Sequence, residues 1–170
     1  MESEVLFFEK QRFNQWWVRV LFIVVNGLAL TGIYFNLQND ATIASEEANN
    51  SSLVVVACVG IIFTFIFFLF RLDTQIKADG IYVRFWPLRL NYRHYRWENL
   101  SKTYVREYSP LGEYGGWGIR YTFSGAGKAY NISGKIGLQL EFTTGKKVLI
   151  GTQKGEKIKE ILIRLGQYKD

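Results

Sequence analysis

Two uncharged apolar runs within the first seventy residues constrain this chain more than anything else in it. Residues 20–35, VLFIVVNGLALTGIYF, contain no charged side chain. With Trp16, Trp17 and Val18 ahead of them they reach about the 20 residues that cross a bilayer as a helix, and Arg19 can snorkel to the interface. Residues 53–70, LVVVACVGIIFTFIFFLF, form an uncharged run that ends at Arg71 and reads as the stronger of the two. A chain of 170 residues that buried both helices would have too little polypeptide left to cover them. The expected organisation is a membrane anchor over residues 1–71, with transmembrane helices at about 18–36 and 53–70, followed by a cytoplasmic domain over residues 72–170.

Lys and Arg set the expected orientation, because cytoplasmic flanks are enriched in them. Lys10, Arg12 and Arg19 precede the first run, and Arg71, Lys77 and Arg84 follow the second. The connection between the runs carries only Asp40, Glu46 and Glu47. Both termini are thus expected in the cytoplasm, in a multi-pass protein of the inner membrane. The Asn-x-Ser triplets at Asn49 and Asn50 add little weight. Thr42 and Ala44 have the spacing of a signal-cleavage site, but the apolar stretch starts late and is long for a signal, which favours an anchor. Residues 5–17 mix aromatics with charges, and read either as an amphipathic lead-in lying in the interface or as the start of a long helix. Gly27 and Gly32, with Ala57, Gly60 and Thr64, give small faces that permit helix packing, self-association included.

Beyond Arg71 the pattern alternates, as strands do. Ile81, Val83 and Phe85 face one way and Tyr82, Arg84 and Trp86 the other, with Pro87 ending the strand. Residues 88–97 read as the next strand. Further runs at 103–108, 119–123, 129–133, 138–143 and 148–152 are separated by Gly-containing turns, which predicts seven antiparallel strands in a meander. Residues 155–168 place Ile158, Ile161, Leu162 and Leu165 on one stripe of an amphipathic helix, suited to closing the open end of a bent sheet.

This outline, together with Asp79-Gly80-Ile81-Tyr82, Arg96-Trp97-Glu98-Asn99-Leu100, residues 113–120, Ala129-Tyr-Asn-Ile-Ser-Gly134 and Gly151-Thr-Gln153, resembles the bacterial membrane-anchored PH-like (pleckstrin-homology-like) proteins of uncharacterised function. The resemblance covers about residues 71–165 and departs at Gly155-Glu156, where such proteins tend to open the final helix with Pro-Glu. It implies a membrane α-helical hairpin joined to a mainly-β barrel capped by a helix, and a bacterial origin. It implies no reaction.

The charge is lopsided. Three basic and six acidic side chains lie in residues 1–70, against eighteen and nine in residues 71–170, which points to an anionic partner. Under a membrane that partner is acidic lipid, and Arg84, Arg89, Arg93 and Arg96 are the candidate head-group contacts. A phosphoinositide pocket is not expected in a bacterial membrane, and nucleic acid ranks last because no recognition motif is present. The Gly-rich residues 109–118 form the second candidate: Glu113, Tyr114, Trp117 and Arg120 could contact an unidentified protein partner, or else Tyr114 and Trp117 pack back while Glu113 pairs with Arg120. With one His, one Cys within an apolar run and no carboxylate cluster, no catalytic residues, metal or cofactor are expected. Gly125-Ala-Gly-Lys128 departs from the phosphate-loop pattern and reads as a hairpin turn. The expected role is a non-enzymatic scaffold or accessory subunit of a membrane assembly, or alternatively a sensor of anionic lipid.

Overall fold

The computed structural model of the protein describes residues 4–38, 45–122 and 125–170. Asp40, Thr42, Ala44 and the ends of the expected 119–123 strand and 124–128 turn lie outside them, as do the side chains of Glu46, Glu47, Asn49 and Asn50. The chain divides into two compact units, Phe13–Leu69 and a second made of Met1–Arg12 with Phe70–Asp170.

The first unit is helical. Helix α1 (Trp16–Gln38) and helix α2 (Ser45–Leu69) run antiparallel, with Phe22 packed among Phe63, Phe67 and Phe68, and the Asn26 amide donating to Thr64 Oγ1 over 3.0 Å. The expected connection over residues 36–52 is shorter than its composition implied: α2 already begins at Ser45, where Glu46, Glu47 and Ala48 favour a helix. Among the described residues one helix, Trp16–Phe35, is long and apolar enough to cross a membrane. In α2 the apolar stretch among the described residues is Val54–Leu69. Apolar side chains in both helices point outward, among them Ile23 at 70% exposure and Phe65 at 68%.

The second unit contains two sheets. Strands β1 (Val5–Arg12), β2 (Arg71–Lys77), β3 (Gly80–Trp86) and β4 (Arg93–Arg96) follow one another as an antiparallel sheet. The other holds β5 (Leu100–Glu107), β6 (Gly118–Tyr121), β7 (Lys128–Asn131), β8 (Ile136–Phe142) and β9 (Lys147–Gly151), in the order β5-β8-β9-β7-β6 with β7 parallel to β9. Two sheets replace the expected closed barrel. A 3-10 turn at Trp97–Asn99 separates β4 from β5, and β5 takes β8 as its neighbour, Leu100 opposite Phe142. The meander expectation fails for a related reason: alternation reports which way side chains face, not which strands pair. Glycine permits the crossover, since Gly127 sits at φ +82° where a Cβ would run into the Lys147 carbonyl.

Residues 5–12, expected at the membrane interface or in a helix, are instead a strand. Phe7, Glu9 and Gln11 point inward and Phe8, Lys10 and Arg12 outward, the period of two that defines a sheet face. Two polar side chains on the inner face are matched by the C-terminal turn. Glu9 accepts from Thr152 Oγ1 at 2.6 Å and from the Gln153 amide at 2.9 Å, while Gln11 Nε2 donates to the Gly151 carbonyl at 2.8 Å. Thr152 Oγ1 also accepts from the Lys154 amide at the start of helix α4 (Gly155–Arg164). That helix buries Ile158, Ile161 and Leu162, the expected stripe, against β5, β8 and β1. The last residues return to β5, where Thr103 and Lys169 exchange both backbone hydrogen bonds.

Removing the Glu9 carboxylate strands a buried hydroxyl and amide, so Glu9→Ala should lower the unfolding free energy by about 1–3 kcal/mol. Unfolding of the detergent-solubilised full chain checks this, with the exposed Glu4→Ala as control; equal losses in the two variants would contradict it.

Candidate functional site

The glycine-rich segment is folded more tightly than its composition implied. Its centre is a short helix α3 (Pro110–Tyr114), capped by Ser109 Oγ accepting from the Gly112 amide and ended by Gly115 in the left-handed region. Glu113, one residue beyond the usual capping-box position, reaches back to accept from the Ser109 amide at 2.8 Å. Its carboxylate also takes two hydrogen bonds from Arg106 on β5, at 2.7 and 3.2 Å. The expected Glu113–Arg120 pair is therefore replaced: the cap aims Glu113 at β5, and Arg120 Nε donates to the Trp117 carbonyl instead. Tyr114 is 3% exposed, packs with Tyr108, Ala129 and Leu149, and donates to the Ala126 carbonyl. Trp117 is half-buried and Arg120 exposed.

The electrostatics agree with this geometry. Hydrogen bonding to Arg106 holds the Glu113 carboxyl below its usual range, and the same contact raises the Arg106 guanidinium. Burial pushes the Tyr114 hydroxyl up.

The basic residues gather differently. On β3, Arg84 donates to Asp73 at 2.6 and 3.0 Å, and Arg71 approaches the same carboxylate oxygen at 3.2 Å. Register places Arg12 opposite Arg71 opposite Trp86 on one rung, Lys10–Asp73–Arg84 on the next of that face, and Phe8–Gln75–Tyr82–His94 on the third. Arg96 ends the face opposite Gly80, which lies opposite Lys77. The outer face thus collects Lys10, Arg12, Arg71, Lys77, Arg84 and Arg96, and its aromatics lie between them. Arg71 stands over Trp86, Lys77 over Tyr82, and Arg84 over Tyr92, whose hydroxyl accepts from Gln75. Arg93 belongs to the opposite face, over Tyr95, and Arg89 lies exposed in the turn after β3. Of the four arginines expected to act together, the fold brings together Arg84 and Arg96.

Sequence reasoning missed Lys10, Arg12, Arg71 and Lys77 as members of this face. Their signal was the period-two alternation of residues 5–12 and 71–77, hidden by assigning residues 5–12 to the anchor and by starting the first strand near Ile81. At the far end of the face, Asp79, His94, Arg96, Trp97 and Glu98 line a polar cleft of about 380 Å³. There the imidazole stacks on Tyr82 at 4.1 Å, and the Tyr82 hydroxyl donates to Asp79. Among the described residues no three His, Cys, Asp or Glu side chains are grouped to hold a metal ion.

A carboxylate with a depressed pKa contributes stability above its unfolded pKa, about 4.3 for Glu, and loses it as the pH falls through the folded value. The Glu113 contribution should accordingly fade below about pH 4.3. Glu113→Gln should lower the melting temperature at neutral pH and narrow its gap from the parent as the pH falls; a gap independent of pH would refute the ion pair's role.

No protein-family model matches the chain, and comparison with curated proteins finds no match.

Proposed function

We propose that the protein is a non-enzymatic module of the bacterial PH-like kind, anchored in the inner membrane by two crossings, whose outer sheet face binds anionic lipid head groups. The observation that carries this reading is the collection of six cations on one face, with Asp73, 1% exposed and held by Arg71 and Arg84, as the acidic side chain on its strand rungs and Asp79 and Glu98 beside it at the far end. Each Lys or Arg near an anionic bilayer contributes about 1 kcal/mol of attraction. The interleaved aromatics suit the polar-apolar boundary of head groups.

Two crossings are supported by connectivity. The chain leaves the sheet at Arg12 and re-enters it at Arg71, and these two residues are register partners. An excursion that starts and ends on adjacent strands at the same rung has both ends on one side. If α1 crosses, α2 must bring the chain back, its shorter apolar stretch extended by the polar residues ahead of it. The outward apolar side chains of both helices favour lipid as their surroundings. The two sheets followed by α4 support an open PH-like arrangement. The scaffold alternative centred on residues 113–120 keeps Trp117 and Arg120 as accessible contacts, whereas Glu113 and Tyr114 are committed within the fold.

In sealed vesicles of one orientation, with Cys58→Ala as background, Glu4→Cys and Asp170→Cys should react with an impermeant thiol reagent from the same side; labelling from opposite sides would sink the two-crossing anchor. The lipid reading is tested on full-length protein in nanodiscs, by energy transfer from a donor on Phe8→Cys to a head-group acceptor. Transfer should rise when phosphatidylglycerol replaces phosphatidylcholine and fall with salt. Lys77 and Arg96 lie about 20 Å along the strands from the Arg71 rung, beyond the roughly 8 Å screening length. Transfer should therefore weaken in Lys77→Gln/Arg96→Gln if the face lies along the surface. Indifference to lipid charge, or tighter binding of RNA than of anionic vesicles, would overturn this function.

A further inference from the structure

Residues 87–90 follow β3 as Pro-Leu-Arg-Leu, a turn closed by the Arg89 amide donating to the Phe85 carbonyl at 2.8 Å. Leu88 is 66% exposed and Leu90 67%, with exposed Arg89 between them. Two leucines turned to water at a tight turn cover no part of the core. Their position supplies the surroundings they lack. The turn begins one residue after Trp86, which shares its rung with Arg71 and, through Arg71, with Arg12. Those arginines are the points where the chain passes out to α1 and back from α2, with residues 13–15 on one side and Phe70 on the other as the whole of the connections. Just beyond the turn, Tyr92 folds back under Arg84, so the turn is continuous with the basic face.

We propose that residues 87–90 are a membrane-inserting tip: Leu88 and Leu90 enter the interfacial lipid beside the point of anchorage, and Trp86, Arg12, Arg71 and Arg89 stay at head-group level. An aromatic with cations at the interface and leucines below it is the arrangement a bilayer boundary selects. The tip fixes which end of the basic face meets the membrane. The inference rests on the anchored reading above but does not need the far end of the face to touch lipid.

The test uses full-length Cys58→Ala protein reconstituted in phosphatidylcholine–phosphatidylglycerol vesicles, with a polarity-sensitive fluorophore on Leu88→Cys or Leu90→Cys, and on exposed Lys102→Cys of the other sheet as reference. Flotation under alkaline carbonate reads the anchor separately. The expected result is blue-shifted emission at 88 and 90, quenched by lipids with a spin label near the head group and shielded from aqueous iodide, with the reverse at 102. With the probe moved to Asn91→Cys, Leu88→Asp/Leu90→Asp should abolish lipid quenching while flotation is unchanged. Iodide quenching at 88 and 90 equal to that at 102, in protein that floats, overturns the tip alone. A blue shift without lipid quenching, as a second copy or a protein partner would produce, overturns it as well. Failure to float overturns the anchor.

Discussion

The antiparallel pairing of β1 with β2 is the constraint on which the rest of this protein depends. It joins strands separated by the whole helical unit and places Arg12 beside Arg71. Pairing alone would leave β1 as an edge strand, open to exchange. What fastens it is polar: the Glu9 carboxylate and the Gln11 amide reach across to Gly151, Thr152 and Gln153 at the end of β9. Burying a carboxylate is costly unless its oxygens are satisfied, and here each oxygen of Glu9 has a donor. The first sheet, the end of the second sheet and the entry to α4 therefore meet at one strand.

The outer face shows how one fold serves both stability and charge. Asp73 would be an expensive buried acid without Arg71 and Arg84, and those arginines would repel one another without Asp73. Their guanidinium groups also stand over the Trp86 and Tyr92 rings, which leaves them pre-organised. Lys10, Arg12, Lys77 and Arg96 stand outside this triad, so the remaining charge of the face is separable from the charge that holds the sheet. The loop around α3 illustrates the opposite case. A composition typical of recognition segments turns out to be spent on a cap, an ion pair to Arg106 and a buried tyrosine.

Much of the secondary structure was legible, because alternation and the i, i+3, i+4 stripe are local signals. Ile81, Val83 and Phe85 face inward as expected, and Ile158, Ile161 and Leu162 form the buried stripe of α4. Pairing was not legible, since nothing local says that β7 should lie parallel to β9 or that β5 should choose β8. The first strand was lost because aromatics and charges ahead of an apolar helix satisfy the interface pattern as readily as the strand pattern. The basic face was half visible for the same reason: Arg84 and Arg96 stood in recognised strands, whereas Lys10 and Arg12 belonged to a strand read as part of the anchor. Arg93 was misplaced because it stands three residues from Arg96 in β4, and alternation puts the two on opposite faces.

The position of Glu9 has a consequence for biosynthesis. A chain is made from its N-terminus, and domains ordinarily fold as they emerge. Here the first strand is finished before either helix, yet its neighbour β2 comes only after both, and the partners of Glu9 come at Thr152 and Gln153. The strand must wait, unpaired, through synthesis of both helices, and Glu9 waits further, through synthesis of nearly the whole second sheet. Its outward lysine and arginine keep that waiting edge soluble, and the late arrival of its partners makes emergence of the end of β9 the event that fastens the first strand.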